Sequence, residues 1–577
     1  MTLQVPPISV GKARHLLTRW DLIAILLVLA LVVFFAQASR NLGQPLAELE
    51  AAPIGLDPWN LPEYAIRTTS RMLAALVLSL VFTFTYATWA AKSRRAEIVL
   101  LPVLDILQSV PILGFLSITV VFFLSLAPGK VLGAEFAAIF AIFTSQAWNM
   151  AFSFYQSLRT VPEELKEASR CFGFGAWMRF WRLEVPFAMP ALAWNTMMSM
   201  SGGWFFVVAS EAISVGDTTV TLPGVGSYIA LALAQRDLWA IGWAIIVMLI
   251  VILIYDQLLF RPLVAWADRF RFEQEAGVAP PRSWVLTTLR RSQLVRWATT
   301  PFGTALRRSY LAFPAPRRVA FGGPYRKLAA RWLDRLWPAA VFGLALLALW
   351  SVADFVTAGV PWSEVGTAVL LGLVTMVRVS ILIAIASVIW VPIGTWIGLR
   401  PNAARVAQPI AQFLAAFPAN LLFPIAVSAI LAWQLDPNVW LSPLMILGTQ
   451  WYILFNVIAG ASTIPSELRD VGTNLGIRGW LWWRRVGLPG IFPYYVTGAI
   501  TASGGSWNAS IVAEVASWGD QRLEATGLGA YIANATAAGD YHRIVLGIAV
   551  MSAFVIIVNR AFWRPLYRYA ERKFRLG

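Results

Sequence analysis

The sequence has few of the residues that carry redox, metal and acid–base chemistry. Its 577 residues include one cysteine, Cys171, and two histidines, His15 and His542, which lie far apart. A single cysteine allows neither an intramolecular disulfide nor a cysteine-based metal cluster, and two scattered histidines supply no convergent catalytic set. We therefore expect no catalytic residue, no metal site and no cofactor site in this chain.

Charge is also scarce. Charged residues make up 13% of the chain and hydrophobic residues 58%, whereas soluble proteins carry about 25% charged residues. Nearly charge-free runs recur along the whole length, each close to the roughly 20 residues that a helix needs to cross a bilayer. Outer-membrane barrels are excluded because their signature is short alternating segments. The predicted fold class is an all-α polytopic membrane protein.

Run length and flanking charge predict about twelve transmembrane helices. In the first half they are expected near 21–37, 66–91, 98–127, 133–156, 187–212 and 238–260. In the second half they are expected near 338–356, 366–396, 405–433, 440–460, 491–515 and 543–562. Basic residues precede the first span and follow the even-numbered ones, which places both termini in the cytoplasm.

The first apolar run has a second interpretation. It follows basic residues and ends in Ala36-Gln37-Ala38, which resembles a cleavable signal peptide. Cleavage would leave eleven spans and two unequal halves. Retention of the helix is the simpler interpretation.

The positive charge is concentrated in one segment. Fifteen Lys or Arg and four Asp or Glu lie between residues 261 and 337, so this segment carries +11 of the net charge of +16. No nucleic-acid recognition motif accompanies the charge. We expect a basic cytoplasmic linker, held on that side by the positive-inside rule, and no nucleic-acid partner.

The chain is an internal repeat. At an offset of 303, residues of the first half meet identical residues of the second, and upstream the offset becomes 307. Examples are Pro162 and Pro465, Trp177 and Trp480, Pro186 and Pro489, and Gly224 and Gly527. We expect a six-helix unit at 1–260, the linker at 261–337 and a second unit at 338–577. An even number of spans makes the units parallel repeats, with a pathway between them.

Each half has a cytoplasmic loop of about 30 residues between its fourth and fifth spans, at 157–186 and 461–489. In the first loop, Pro162 suits a first helical turn, and the acids Glu163, Glu164 and Glu167 favour a helix N-terminus. Gly173 suits a helix end. The loop is therefore expected to form short helices.

These loops resemble the hallmark of the permease subunits of binding-protein-dependent ABC importers: E-A-A, three residues, G, nine residues, I, one residue, L-P. The first copy has Glu167-Ala168-Ser169, Gly173, Leu183 and Val185-Pro186. The second has Asp470-Val471-Gly472, Gly476, Val486 and Leu488-Pro489. Both copies keep the glycine, the proline and the spacing, while the second departs from E-A-A.

The resemblance implies a type I ABC importer-like fold in which each loop is a coupling helix that docks on a cytoplasmic ATPase. The implied coupling residues are Glu163, Glu164, Glu167, Ala168, Gly173, Glu467, Asp470, Gly472 and Gly476. Apolar side chains beside acids, such as Phe172 and Trp177, suit a small interface. An amphipathic helix lying on lipid headgroups is the alternative, and two copies at matched spacing favour docking.

The chain has no G-x-x-x-x-G-K motif followed by Ser or Thr, so ATP and Mg are expected to be used by partner subunits. The resemblance implies two cytoplasmic ABC ATPase subunits and a periplasmic or lipid-anchored substrate-binding protein, in the inner membrane of a bacterium. An ion-gradient-driven secondary transporter is the alternative. It would need intramembrane carboxylates, and only Asp105 clearly lies within a predicted span.

Two segments, LDILQSVP at 104–111 and PGVGSYI at 223–229 after Glu211, resemble the nitrate, sulfonate, taurine and bicarbonate branch of these permeases. That resemblance implies a small anionic solute. Polar residues within spans are candidates for the pathway or for structural hydrogen bonds between helices. The pathway candidates are Asp105, Gln108, Ser109, Asn149, Asn195, Asn456 and Asn508.

Two arginine–glutamate sets lie at the predicted periplasmic ends of spans. Arg71 and Glu211 belong to the first half, and Arg378 and Glu514 occupy the same repeat positions in the second. We expect them to form salt bridges of an outer gate. The alternative is that they are interfacial or snorkelling charges.

Overall fold

A computed structural model describes residues 19–38, 54–109, 112–215, 218–270, 283–312, 324–417, 419–518 and 521–574. Helices dominate, because a backbone that crosses lipid must satisfy its hydrogen bonds internally. The first half contains α1 (Arg19–Ala38), α2 (Leu61–Phe82), α3 (Thr88–Lys92), α4 (Arg94–Ser109), α5 (Ile112–Leu126), α6 (Val131–Arg159), α7 (Glu163–Cys171), α8 (Ala176–Arg179), α9 (Val185–Glu211), α10 (Val225–Ala234), α11 (Leu238–Tyr255) and α12 (Arg261–Ala267).

The linker contributes α13 (Trp284–Arg291), α14 (Gln293–Ala312) and the start of α15 (Pro324–Gly359). The second half continues with α16 (Trp362–Gly398), α17 (Pro401–Ala416), α18 (Phe423–Ala432), α19 (Pro437–Trp440), α20 (Gln450–Ser462), α21 (Ser466–Asn474), α22 (Gly479–Trp482), α23 (Leu488–Ala513), α24 (Leu528–Ala537), α25 (Tyr541–Val558) and α26 (Arg564–Phe574). Short 3₁₀ and π-helical turns join several of these helices end to end. The expectation of an all-α membrane protein is confirmed.

Six described helices are long and apolar enough to cross a membrane. They are Pro58–Lys92, Val131–Arg159, Leu238–Phe270, Leu336–Gly359, Trp362–Gly398 and Tyr541–Ala570. A seventh candidate is the pair Pro437–Met445 and Gln450–Ser462, which is bent by 45°. The predicted fifth and eleventh spans correspond to α9 and α23, of 27 and 26 residues.

Two predicted spans are wrong as single helices. The span near 405–433 consists of α17, a 3₁₀ turn at Ala419–Leu422 and α18, and the span near 440–460 is the bent pair. The described part of the span near 98–127 consists of α4 and α5, on either side of residues 110–111. The sequence has Pro418 beside the 3₁₀ turn. Proline lacks the backbone N–H that a continuous helix needs, and it disfavours helical geometry in the preceding residue.

The linker is not a simple tether between the halves. Its helices α13 and α14 pack against α1. The buried carboxylate of Asp21 accepts hydrogen bonds from Ser292 Oγ (2.8 Å) and the Leu294 N–H (3.1 Å). The first helix is thereby tied to the linker.

Buried apolar clusters contain side chains from both halves. Ile112 and Val120 of α5 are buried within the core of the second half, and Leu421 lies within the core of the first. A third cluster joins Met198 to Ile397 and Phe455 across the seam between the halves. Burial of this kind fixes how the repeats pack together.

Each half also contains a β-hairpin, which the sequence analysis did not predict. In the first half β1 (Ala212–Val215) pairs with β2 (Thr218–Thr221), with Val215 opposite Thr218. In the second, β3 (Val515–Trp518) pairs with β4 (Gln521–Glu524), with Trp518 opposite Gln521. The hairpins directly follow α9 and α23 and precede α10 and α24.

Candidate coupling surface and pathway

The two loops at the fourth connection fold into the same structure. Helices α7 and α21 each span nine residues and each begin after a proline, Pro162 or Pro465. The first turn carries Glu163 and Glu164 in α7 and Glu467 in α21. Acids at this position are stabilised by the helix dipole.

Both helices end in the same glycine-based cap. After α7, the Gly173 N–H donates to Arg170 O (3.0 Å) and the Phe174 N–H to Ser169 O (2.9 Å). After α21, the Gly476 N–H donates to Thr473 O (3.0 Å) and the Ile477 N–H to Gly472 O (2.8 Å). The φ angles of Gly173 and Gly476 are +71° and +68°, a left-handed conformation that favours glycine.

The third residue of each E-A-A position is small and buried. Ser169 is buried, and so is its counterpart Gly472. A Cβ at Gly472 would lie 3.9 Å from Val486 Cγ2 of the following π-helical turn. This is an ordinary van der Waals distance, so the buried face of the helix lies against the chain that follows it.

The opposite surface of each helix faces outward. Glu163, Glu164, Glu167 and Ala168 are exposed on α7, and Glu467 and Asp470 are exposed on α21. At the tips, Phe172 is 78% exposed and its repeat counterpart Leu475 is 70% exposed. Large apolar side chains exposed at matched positions beside acids are typical of a protein-binding surface. We call the exposed faces of α7 and α21, together with Phe172 and Leu475, the coupling surface.

The comparison with known families decides the identity. Residues 83–263 and 390–576 each match the binding-protein-dependent transport system inner membrane component. The chain belongs to this family. It is a multi-pass inner-membrane permease with two permease units in one chain, and it is not an enzyme. The resemblance inferred from the loops is confirmed.

Each relative aligns with about one third of this chain. A glycine betaine/carnitine transport permease protein of Listeria monocytogenes is 28% identical over 203 residues, which is 35% of this chain and 66% of the relative. A bicarbonate transport system permease protein of Synechococcus elongatus is 27% identical over 32% of this chain and 64% of the relative. A nitrate import permease protein of Synechocystis is 25% identical over 34% and 70%. This chain spans just under two thirds of the first two relatives.

Three asparagines predicted for the pathway make hydrogen bonds within their own half. Asn149 Nδ2 donates to Ser199 Oγ (3.2 Å) and Asn195 Nδ2 to Ser153 Oγ (2.8 Å), so both pairs join α6 to α9. Asn456 Nδ2 donates to Tyr452 O (2.8 Å) one turn earlier in α20. These bonds are the structural alternative considered for polar residues within spans, and a role in the pathway stays a prediction.

Asn508 joins the two halves. Its Oδ1 accepts a hydrogen bond from the N–H of Ile112, the first residue of α5 (2.9 Å). An N-terminal N–H of a helix has no partner within the helix, so a side chain of α23 caps α5. Of the remaining candidates, Gln108 is exposed on α4, and the side chains of Asp105 and Ser109 lie outside the described part of the chain.

Arg71 and Glu211 form an ion pair, and further residues join them in one hydrogen-bonded cluster. Arg71 Nη1 donates to Glu211 Oε1 (2.7 Å), while Nε and Nη2 bind both oxygens of Glu135 (2.6 and 2.7 Å). Thr68 Oγ1 (2.7 Å) and the Gly226 N–H (2.7 Å) donate to the same Glu211 carboxylate. We call Arg71, Glu211 and Thr68 the first latch, with Glu135 as its added acid.

The second half repeats this arrangement with one substitution. Glu514 accepts hydrogen bonds from Arg378 Nη1 (2.6 Å), Thr375 Oγ1 (2.9 Å) and the Ala530 N–H (3.1 Å). In place of a second acid, Arg378 Nη2 donates to the carbonyl oxygens of Thr526 (3.2 Å) and Asn438 (3.4 Å). We call Arg378, Glu514 and Thr375 the second latch.

Each latch joins elements of a single half. It ties α2 or α16 to the end of α9 or α23 and to the start of the short helix α10 or α24. A Cβ at Gly224 or Gly527 would collide with the carboxylate of Glu211 or Glu514, so glycine permits this approach. The described ion pairs of the latches do not cross the seam between the halves. The hairpins next to them do, because β1 lies against α24 and β3 lies against α10.

Sequence reasoning missed the threonines and Glu135. Thr68 and Thr375 lie at the repeat offset of 307, next to the arginines already identified, so the repeat could have revealed them. Glu135 was not identified because, among the described residues that contact Arg378, Glu514 is the one acid and nothing corresponds to Glu135. Among the described residues, no group of three or more His, Cys, Asp or Glu side chains could hold a metal ion.

Proposed function

We propose that this permease forms the translocation pathway of an ATP-driven importer for a small anionic solute, of the nitrate, sulfonate, taurine or bicarbonate type. The observation that carries the proposal is the duplicated coupling surface. Two outward-facing helices with identical caps, separated by the full repeat, suit two partner subunits that act together. The nitrate and bicarbonate permeases among the relatives support an oxyanion as the solute.

The proposed partners are two cytoplasmic ABC ATPase subunits, which use ATP and Mg, and a periplasmic or lipid-anchored substrate-binding protein. The coupling residues are the nine predicted from the sequence, extended by Phe172 and Leu475. Both termini and the linker lie on the cytoplasmic side, in agreement with the distribution of basic residues.

The structure supports a lever for alternating access. Helix α8, the π-helical turn Phe180–Glu184 and α9 follow one another without interruption, and α22, Trp483–Gly487 and α23 do the same. Helix α9 alone, with 27 residues, is about 40 Å long. In this proposal a displacement of α7 passes through the glycine cap at Gly173 to α8, and the continuous helix then carries it across the membrane to Glu211 and the β-hairpin.

The outer gate belongs to this lever. Closure of the ATPase subunits moves both coupling helices, and the latches transmit the movement to the hairpins and short helices at the seam. The cavity between the halves then opens outward to accept the solute, and it returns to the inward state on reset. The polar pathway candidates would line or support that cavity.

The experiment is to tag the chain, purify it in mild detergent from its native membrane and measure the mass of the complex. We expect two ATPase subunits with each 63.7 kDa chain, and uptake into proteoliposomes that requires ATP. A chain that is isolated alone and transports in response to an ion gradient without ATP would replace this proposal with the secondary transporter.

A further inference from the structure

A basic cavity lies behind the first coupling helix. Its volume is about 390 Å³, within the range of roughly 300–1,000 Å³ that small-molecule sites occupy. Its charged lining consists of Lys92, Arg159, Lys166, Arg170, Arg179 and Glu184. Five cationic side chains and one carboxylate therefore face a single space.

The carboxylates near the cavity do not balance these cations. Glu184 is buried and serves two of them, Lys92 Nζ at 2.7 Å and Arg179 Nε at 3.3 Å. Glu163, which is not part of the lining, pairs with both Lys166 (3.2 Å) and Arg170 (3.3 Å).

The fifth cation is Arg159, whose Nη1 lies 4.0 Å from the carboxylate of Glu97. Within the described ranges of the chain, these five cations share three carboxylates. Two of those carboxylates, Glu97 and Glu163, lie outside the lining of the cavity.

We propose that this cavity binds a phosphate group. Arginine guanidinium groups bind phosphate oxygens in pairs, and lysine contributes a compact charge, so the lining matches a tetrahedral multivalent anion. The phosphate group has two available sources on the cytoplasmic side, the headgroup of an anionic phospholipid and free inorganic phosphate. Both have the chemistry that the cavity selects.

The site is specific to the first half. At the repeat offsets, Arg159, Arg170, Arg179 and Glu184 become Ser462, Thr473, Trp482 and Gly487, and Lys92 becomes Leu399. Only Lys166 keeps its charge, as Arg469. The basic lining is therefore an addition to the permease unit, and the repeated lever does not require it.

The cavity lies between elements that move relative to one another in the proposed function, on which this step rests. Lys166 and Arg170 are on the coupling helix α7, Arg159 is at the end of α6, and Lys92 is at the end of α3. A bound phosphate group would join the coupling helix to two helices of the membrane bundle. It would stabilise α7 in the position observed here and make the first lever stiffer than the second.

The test uses the purified full chain and inorganic phosphate. The single cysteine, Cys171, is exposed and free at the end of α7, so an environment-sensitive fluorophore can be attached beside the cavity without further mutation. Sodium phosphate is titrated against sodium chloride at constant ionic strength, and calorimetry on unlabelled protein gives the stoichiometry. We expect one saturable phosphate site for each chain.

Two variants and a matched control locate the site. Lys166→Gln and Arg159→Gln each remove one cation from the lining, and we expect roughly tenfold weaker phosphate binding, or about 1.4 kcal/mol. Arg469→Gln makes the equivalent change in the second half and should leave binding within about twofold. Gel filtration and thermal unfolding establish that each variant is folded.

A second arm distinguishes the sources. The chain is reconstituted with phosphatidylglycerol or phosphatidylcholine and released for native mass spectrometry. A phosphatidylglycerol molecule retained by the parent and Arg469→Gln chains, but lost from Lys166→Gln, identifies the headgroup as the source. Saturable binding of free phosphate with no such lipid identifies inorganic phosphate. If neither binds, or if Arg469→Gln weakens binding as much as Lys166→Gln, the proposal is overturned, independently of whether the chain couples to ATPase subunits.

Discussion

The glycine that ends each coupling helix offers a sharp test of the lever. We expect Gly173→Ala to reduce the number of solute molecules transported per ATP hydrolysed while leaving the membrane bundle folded. The φ angle of +71° is strained for alanine, and nothing lies within 4 Å of an added Cβ. The change therefore perturbs the backbone of the cap and creates no steric clash.

The magnitude follows from the backbone alone. A non-glycine residue in the left-handed region costs about 1–2 kcal/mol, which changes the population of the capped conformation roughly 5- to 30-fold. Asparagine tolerates this region better than alanine does. Gly173→Asn should therefore keep more coupling than Gly173→Ala, although its side chain is larger. Gly476→Ala, at φ +68°, should have a similar effect in the second half.

The assay is ATP hydrolysis and solute uptake measured together in proteoliposomes that contain the complete transporter. Gly242→Ala is the matched control, because Gly242 lies within α11 and also has nothing within 4 Å of an added Cβ. That change should be neutral or stabilise the helix by about 0.5–1 kcal/mol. The reasoning is refuted if Gly173→Ala and Gly242→Ala transport the same amount of solute per ATP, or if Gly173→Asn is worse than Gly173→Ala.

Two further predictions separate stability from docking. Arg71→Gln leaves the carboxylates of Glu135 and Glu211 buried without their cation and should lower the free energy of unfolding by about 3–5 kcal/mol. Arg378→Gln leaves only the carboxylate of Glu514 without its cation, so it should lower the unfolding temperature less. Equal decreases in unfolding temperature would contradict this interpretation of the latches. Phe455→Ala removes a buried ring at the seam and should lower the free energy of unfolding by about 3–5 kcal/mol. Phe172→Ala, at the exposed tip, should change it by no more than about 0.5 kcal/mol but should weaken ATPase binding, as measured by co-purification. A loss of stability in Phe172→Ala would contradict its assignment to the coupling surface.

The repeat made much of the site predictable from the sequence. A residue that recurs at the same offset in two copies marks a requirement of the backbone or of a partner. Gly173 and Gly476 recur because the cap needs a left-handed residue, and Arg71 and Glu211 recur with Arg378 and Glu514 because each latch needs both charges. Features present in one copy only, such as Glu135, carried no such signal.

The first hairpin could have been predicted from local signals, and the second from the repeat. The segments AISV and TTVT, rich in β-branched residues, flank Gly216-Asp217, and Gly519-Asp520 stands at the same place in the second half. Strand-forming residues around a two-residue Gly-Asp loop are a hairpin signal. The predicted fifth and eleventh spans ended at residues 212 and 515, the first residues of β1 and β3, so the strands were left in the loops that follow the spans.

The broken spans and the helical linker were harder to predict, since hydropathy measures how apolar a segment is and not how it packs. The predicted span near 405–433 is largely apolar, yet the structure divides it into α17, a 3₁₀ turn and α18. In the sequence only Pro418 signals that division. Similarly, the charge of the linker indicated the cytoplasmic side, but the contact of Asp21 with Ser292 depends on tertiary packing that composition does not record.

Fusion of the two units in one chain allows the halves to differ, and the differences show which parts the lever requires. The caps, the small residue beneath each coupling helix, the Arg–Glu–Thr latches and the hairpins are present twice with nearly the same geometry. Glu135 and the basic cavity belong to the first half. If the proposed lever is correct, the features that occur in both halves are the ones it requires, whereas the charges confined to the first half alter the stiffness of one lever only. The two strokes of such a permease need not be equal, even when two identical ATPase subunits drive them.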